Sequence, residues 1–293
     1  MKKKLSFVVP VYNEQENIPL LYEKLSVLLK NHLQVYDAEI IFVNDGSKDS
    51  SWNCIKDLIK KDIRVKGVCF SRNFGHQLAL TAGYDRATGD AVISLDADLQ
   101  HPPEFIKKMV EQWQEGFEIV YARRDVQSDG SLKDRAAFWY YKLLNKIAQV
   151  PMYQGVGDFR LIDKIVLTEI NKLREQGRYL RGMVPWTGFS HTVVDYTRQE
   201  RVAGTPAYTW SKSMQLALDG LTNFSLFPLK IAAFIGFFVI ITGSLMFLYI
   251  AIDAVIFSVR YPLFKWLVTA VYIFMGVQFL LMWLLGEYIG RIY

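Results

Sequence analysis

The sequence predicts an α/β fold built on a mostly parallel sheet, followed by two membrane-spanning helices. Two observations predict the first part. Apolar, β-branched runs alternate with amphipathic segments up to about residue 126, and every apolar run ends in polar or charged residues. One observation predicts the second part. The segments 231–252 and 266–286 contain no charged residue, and at 1.5 Å per residue each spans about 30 Å, the depth of a bilayer core.

LSFVVPVY is the first strand. Its apolar run is too short for a secretion signal, and Pro10, Asn13 and Glu14 break it, so a buried strand is expected. The next segment carries Ile18, Leu21, Leu25, Leu28 and Leu29 at helical spacing. EIIFVNDGS is the second strand, and DSSWNCIKDLIKKD a helix with Asp49, Ser50 or Ser51 as its N-cap. VKGVCFS is the third strand. HQLALTAGYDRAT is a helix closed by Gly89, and AVISLDAD the fourth strand. PPEFIKKMVEQWQEG is a helix started by its prolines, and EIVYARR the fifth strand. Beyond it the pattern is less regular. SDGSLKDRAAFWYYKLLNKIA reads as a loop and an aromatic-rich helix, GVGDFRLID as a glycine-bracketed turn, QERVAGTPAYTWSK as a polar loop, and SMQLALDGLTNFS as an amphipathic segment.

Of the 293 residues, 51% are hydrophobic, and the excess lies after Phe227. The net charge of +5 suits anionic lipid, nucleic acid or a phosphorylated substrate, and a membrane protein with basic flanks accounts for it equally well. Cys54 and Cys69 lack metal-ligand spacing and are expected to be reduced core residues. Trp266, Tyr261, Tyr288 and Lys230 are expected interfacial anchors.

Ligands of parallel sheets bind beyond the carboxyl ends of the strands. That rule places Tyr12 to Glu14, Asn44 to Gly46, Ser71 to Asn73, Asp96 to Gln100, and Arg123 with Arg124 along one rim. In SLDADLQHP, Asp96, Asp98 and Gln100 alternate, so an extended chain would turn all three side chains the same way. Two carboxylates that close repel unless a cation lies between them, and hard oxygen ligands suit Mg²⁺ or Mn²⁺. A solvated acidic turn capping the next helix has the same composition. Arg72, Arg123, Arg124 and Arg135 could bind phosphate bidentately, or be ordinary surface charge. Glu14 and Asp45 could accept from a ribose or base, or cap helices.

VVPVYNEQENI, FVNDGSKDSS, FSRNFGHQLALTAGYDRATGD, SLDADLQHPPE, GVGDFRLID and the paired apolar segments, in that order, resemble the polyisoprenyl-phosphate glycosyltransferases of glycosyltransferase family 2. The chain stops at GEYIGRIY, where that group usually continues in a short polar tail. The resemblance implies a GT-A fold, Rossmann-like, over residues 1–210, facing the cytosol. An amphipathic segment 211–229 and a two-helix membrane region 230–293 would follow. It implies that Pro10, Tyr12, Glu14 and Asp45 hold the base and ribose, with Ser71 and Asn73 also at the nucleotide sugar. Asp96, Asp98 and Gln100 would hold the cation against the diphosphate, with Asp98 counted among the catalytic groups. Arg123 and Arg135, with Arg124 beside them, would meet the acceptor phosphate. Arg201, Ser211 and Lys212 would lie in a loop that closes over the phosphates. Asp158 matches the catalytic-base position. A phosphate monoester with its second pKa near about 6 needs little deprotonation, however, so Asp158 is equally a group that orients Arg160 or a sugar hydroxyl. His76 and His101 are expected behind the ligands or on the surface.

The implied reaction is inverting transfer of one sugar to undecaprenyl or another polyprenyl phosphate at the cytosolic leaflet. Glucose from UDP-glucose is the expected donor, with UDP-N-acetylglucosamine and GDP-mannose as alternatives. The implied partners are the membrane and the lipid, with no nucleic acid. Gly236, Gly243, Gly276, Gly286 and Gly290 would allow close packing between subunits, in a homotetramer or other oligomer. A processive polysaccharide synthase is disfavoured because Gln-x-x-Arg-Trp is absent, and a dehydrogenase because no Gly-x-Gly-x-x-Gly follows a strand. Intact acidic and basic clusters argue against a non-catalytic tethered module.

Overall fold

The computed structural model describes residues 2–102, 104–124, 155–173, 178–196 and 227–292. The chain divides into two compact units, Met1–Leu216 and Ala217–Tyr293.

The first unit is a seven-stranded sheet in the order β3-β2-β1-β4-β6-β5-β7. Its strands are β1 (Lys4–Val11), β2 (Asp37–Asn44), β3 (Val65–Cys69), β4 (Ala91–Ser94), β5 (Ile119–Arg124), β6 (Val156–Asp163) and β7 (His191–Tyr196). Successive residues of a strand point to opposite faces, and Phe7, Val8 and Val9 are all fully buried. Both faces are therefore covered, as near-continuous apolar strands require. The helices are α1 (Asn17–Asn31), α2 (Ser51–Lys61), α3 (His76–Arg86), α4 (Phe105–Gln114), α5 (Lys164–Lys172) and α6 (Leu180–Trp186). Helix α1 buries the five apolar residues that its spacing picks out. Of the three expected caps of α2, Ser50 holds the N-cap position without a side-chain bond, while Asp49 Oδ1 accepts from the Ser51 amide at 3.0 Å.

Strand β1 pairs in parallel with β2 on one side and with β4 on the other, so the strand order switches there and opens a crevice at the carboxyl ends. Three expectations need correction. GVGDFRLID is not a turn but β6, which pairs antiparallel with β4 and β5. Asp158 and Arg160 are buried within it, and charge in mid-run disguises a buried strand. Asp96–Gln100 is not extended: it turns, with Leu99 at φ 60°. Both cysteines are free thiols as expected, but Cys69 is exposed rather than in the core, and Cys54 is half-buried against it.

The second unit is a pair of helices, α7 (Phe227–Ile256) and α8 (Leu263–Ile292). Lys230–Ile256 and Leu263–Ile289 are long and apolar enough to cross a membrane, and little of either is buried within the protein. A soluble core helix would hide such side chains; here Phe234, Phe237, Phe238 and Phe274 face outward. A Cβ on Gly236 would lie 2.9 Å from the Gly276 carbonyl oxygen, and one on Gly243 would lie 3.0 Å from Ile273. These glycines bring α7 and α8 together within one chain, so Gly236, Gly243 and Gly276 are used there rather than between subunits.

Candidate active site

The antiparallel course of β6 decides what the rim contains. Because β6 runs against its neighbours, its first residues lie beside the last residues of β4, with Arg160 opposite Ser94. Asp158 therefore stands next to the Asp96 turn, although 62 positions separate them in the sequence.

Asp158 is buried, and four side chains from three elements converge on it. Arg160 Nη2 donates to Oδ1. Arg181 Nε and Nη2 donate to Oδ2 at 3.1 and 2.9 Å. Gln77 Nε2 reaches the same oxygen at 3.1 Å, and His76 Nδ1 stands 3.6 Å away. Burial alone would push this carboxyl up. The Arg181 and Arg160 guanidiniums, with His76, overcome that and hold it far below the usual carboxylate range.

His76 links this cluster to the acidic turn, its Nε2–H donating to Asp96 Oδ1 at 2.9 Å. Burial lowers the imidazole pKa, but the hydrogen bond to Asp96 and the charges of Asp96 and Asp158 outweigh it and raise it above 6.5. His101 is fixed from below, its ring stacked on Phe159 at 4.6 Å. Its Nδ1 accepts from the Asp96 amide at 3.2 Å, which leaves Nε2 3.9 Å from Asp96 Oδ2. Burial would raise the Asp96 carboxyl; the His76 hydrogen bond and the charges of His101 and His76 bring it down to about 2. The two histidines thus stand directly behind Asp96.

Asp98 is buried, and its Oδ1 accepts from the Gln100 amide at 3.2 Å. Gln100 Oε1 is buried with no hydrogen-bond partner among the described residues. This orphaned amide oxygen and the carboxylates of Asp96 and Asp98 belong to one turn and are all hard oxygen donors, the type that fits Mg²⁺ or Mn²⁺. Among the described residues no three His, Cys, Asp or Glu side chains group into a metal cage.

The other rim loops are tied mostly to one another. Both Asp45 oxygens accept main-chain amides, from Phe74 at 2.7 Å and Gly75 at 2.9 Å, so this carboxylate pins the loop after β3. Asn73 donates to the Asp45 carbonyl at 3.3 Å, and Ser71 is exposed. Gly46 sits at φ 64°, where a Cβ would lie 2.3 Å from the Arg72 carbonyl carbon. Glu14 Oε2 accepts from Asn17 Nδ2 at 2.6 Å, and its amide donates to Ser51 Oγ at 2.9 Å, a helix-entry role. Pro10 is buried within β1, and Tyr12 is exposed at its end. Arg72 lies over the Phe74 ring at 4.4 Å. Arg123 is forked onto Asp195 of β7 at 2.6 and 2.9 Å, and Arg124 is exposed beside it. Arg135, Arg201, Ser211, Lys212 and the segments expected at 128–148 and 199–225 lie outside the described residues.

Two contributors escape sequence reasoning. Gln77 could have been noticed as the neighbour of His76 in FGHQ. Arg181, in GRYLRG, carries no local signal, because its partner lies 23 residues earlier.

Residues 6–170 match the family described as Glycosyl transferase family 2. The bactoprenol glucosyl transferase of Shigella phage SfX is 43% identical over 294 aligned residues, covering 99% of this chain and 95% of that protein. The SfII prophage-derived bactoprenol glucosyl transferase of Shigella flexneri is 44% identical, covering 99% and 94%. The chain belongs to glycosyltransferase family 2. It is a glycosyltransferase, and within the family it groups with the bactoprenol glucosyl transferases. Its fold is of the GT-A type. A mannosyltransferase from Pyrobaculum calidifontis, solved with GDP-Man and Mn²⁺, superposes with a TM-score of 0.53 at 15% identity. The match covers 76% of this chain and 64% of that one, so the chain spans less than two thirds of that protein's length.

Proposed function

We propose that the chain transfers a single glucose from UDP-glucose to undecaprenyl or a similar polyprenyl phosphate, with inversion, at the cytosolic leaflet. One observation carries this reading: the Asp96 turn and the arginine-held Asp158 share a rim, in a chain that continues into two apolar helices with outward-facing side chains. The names of the full-length relatives support glucose and the lipid carrier. A long polyprenyl tail stays in the bilayer, so its phosphate waits at headgroup depth, and α7 and α8, as membrane spans, would tether the enzyme to that bilayer. Nucleotide sugars are made in the cytosol, which sets the face.

The reaction is an in-line displacement. A phosphate oxygen of the lipid attacks the anomeric carbon, the bond to the diphosphate breaks, and the nucleoside diphosphate leaves with its electron pair. Asp96, Asp98 and Gln100 would hold the divalent cation, which when bound supplies charge stabilisation for the departing diphosphate. His76 and His101 fix the Asp96 side chain. The attacking phosphate is largely dianionic at neutral pH and needs no base. Asp158, ionised and surrounded by donors, is assigned the orienting role: it holds Arg181 and Arg160 in place.

The test offers mixed UDP- and GDP-sugars with polyprenyl phosphate to the purified full chain and identifies the lipid product by mass spectrometry, with its anomeric configuration by NMR. A single β-linked glucose is expected from the α-linked donor. Chelator, or alanine at both Asp96 and Asp98, should lower turnover by at least about 10³-fold. A polymer, a retained configuration or chelator-insensitive transfer overturns the reading.

A further inference from the structure

The geometry points to Arg181 as a phosphate-binding residue on the acceptor side, presented to the lipid phosphate by Asp158; this rests on the function proposed above. The nucleotide-side loops follow β1, β2 and β3, which lie on one side of β4 in the sheet order. Asp158 is on β6, on the other side of β4, and Arg181 is bound to it. An in-line displacement needs the attacking atom opposite the leaving group. With the donor over the β3-β2-β1 half, the acceptor phosphate approaches over the β6-β5-β7 half, where Arg181 stands.

The guanidinium is also firmly set. Gln77 Oε1 accepts from the Leu180 amide at 3.0 Å, and Arg160 Nη1 donates to the Leu180 carbonyl at 3.0 Å. The residue preceding Arg181 is therefore gripped on both sides by two groups that also bind Asp158. Arg181 then places two N–H groups on one Asp158 oxygen. A guanidinium anchored along one edge is set in place before an oxyanion arrives, which lowers the ordering cost of binding it.

Access separates the two guanidiniums that hold Asp158. Arg160 is 1% exposed and Arg181 28%, so Arg181 is the one a ligand reaches. A partly exposed guanidinium fixed in place this way suits a phosphate.

The experiment uses the full-length enzyme in lipid nanodiscs. It measures KM for a short polyprenyl phosphate and for UDP-glucose. It also compares binding of that phosphate with binding of the uncharged polyprenol. Arg181→Gln should raise KM for the lipid phosphate about tenfold or more and erase the preference for phosphate over alcohol, with KM for UDP-glucose changed less than about threefold. Arg181→Lys keeps the charge but not the fork, and should fall between. A purely structural role would move both KM values together or lower only kcat. Equal changes in the two KM values, or a lipid KM within about threefold of wild type, overturn the inference. Should Arg181→Gln not fold, Arg181→Lys decides, and an unchanged lipid KM there overturns it. A wild-type enzyme with no preference for the phosphate over the alcohol overturns both this inference and the function it rests on. A wild-type preference that the variants retain overturns this inference alone.

Discussion

Two buried carboxylates at opposite ends of the sheet meet the same electrostatic problem and serve different ends. Glu39, near the start of β2, is fully buried and accepts from Lys4 Nζ at 2.9 Å, Lys66 Nζ at 2.6 Å, Ser6 Oγ at 2.5 Å and the Thr88 amide at 2.7 Å. Asp158, at the opposite end, accepts from Arg160, Arg181 and Gln77. Each carboxylate would be costly to bury alone and is compensated by two cations. The partners of Glu39 come from β1, β3 and the turn before β4, so that cluster ties four neighbouring strands in order. Its lysines are 33% and 48% exposed and keep their water. The partners of Asp158 come largely from helix starts, α3 and α6, and face the rim. One cluster secures the sheet; the other sets side chains where substrates arrive.

The sharpest way to break this contrast is Asp158→Asn. It retains the shape but removes the charge that two guanidiniums face. If Asp158 orients arginines, turnover should fall by about 10²-fold, equally at pH 5.5 and pH 8. A conditional base behaves otherwise: near-normal turnover at pH 8, where the lipid phosphate is dianionic, and loss only at pH 5.5. Steady-state rates at the two pH values separate the roles.

The same contrast explains what could be read in the sequence. Strands β1 to β5 and helices α1 to α4 follow from the alternation of apolar runs and amphipathic segments, because most of their side chains meet water or core. The acidic turn was legible as residues but not as geometry, since Leu99 at φ 60° bends what alternation alone would extend. Strand β6 was hidden because Asp158 and Arg160 are charged yet buried, and burial of charge depends on partners that a local window does not hold. Gln77 meets Asp158 across 81 residues and Arg181 meets it across 23. Glu39 is equally silent: Lys4 and Lys66 flank it from 35 and 27 residues away. Helix-packing glycines were visible in the apolar segments, but not whether a second helix of the same chain would use them.

At the base, Glu39→Gln should cost about 2 kcal/mol, or roughly 4–8 °C in thermal unfolding, while kcat stays unchanged. Burial would raise the Glu39 carboxyl, but the hydrogen bonds from Lys66, Ser6, Lys4 and Thr88 bring it from 4.5 to about 2. A lowered pKa contributes stability that is present above about 4.5 and is lost as pH falls towards about 2. The gap between wild type and variant should therefore be wide at pH 7 and close across that window. A variant that lost activity at unchanged stability would place Glu39 in the site after all and dissolve the comparison.

The smallest effect belongs to Asp195. It and Arg123 stand opposite each other on the paired strands β5 and β7, about half exposed, 54% and 46%. An ion pair so open to water is worth about 0.2–1 kcal/mol and is screened by salt, so Asp195→Asn should barely move the unfolding temperature. Its consequence lies in what Arg123 faces. With the carboxylate gone, the guanidinium keeps its place on β5 but gains net charge towards the rim. If Arg123 meets the acceptor phosphate, KM for the lipid should drop about two- to threefold at low ionic strength, and the gain should vanish near about 0.5 M salt. KM for the sugar nucleotide should stay put, because its loops lie across β4. An unchanged lipid KM at low salt would confine Arg123 to tying β5 to β7 and leave Arg181 and Arg124 as cations that the described rim offers the acceptor.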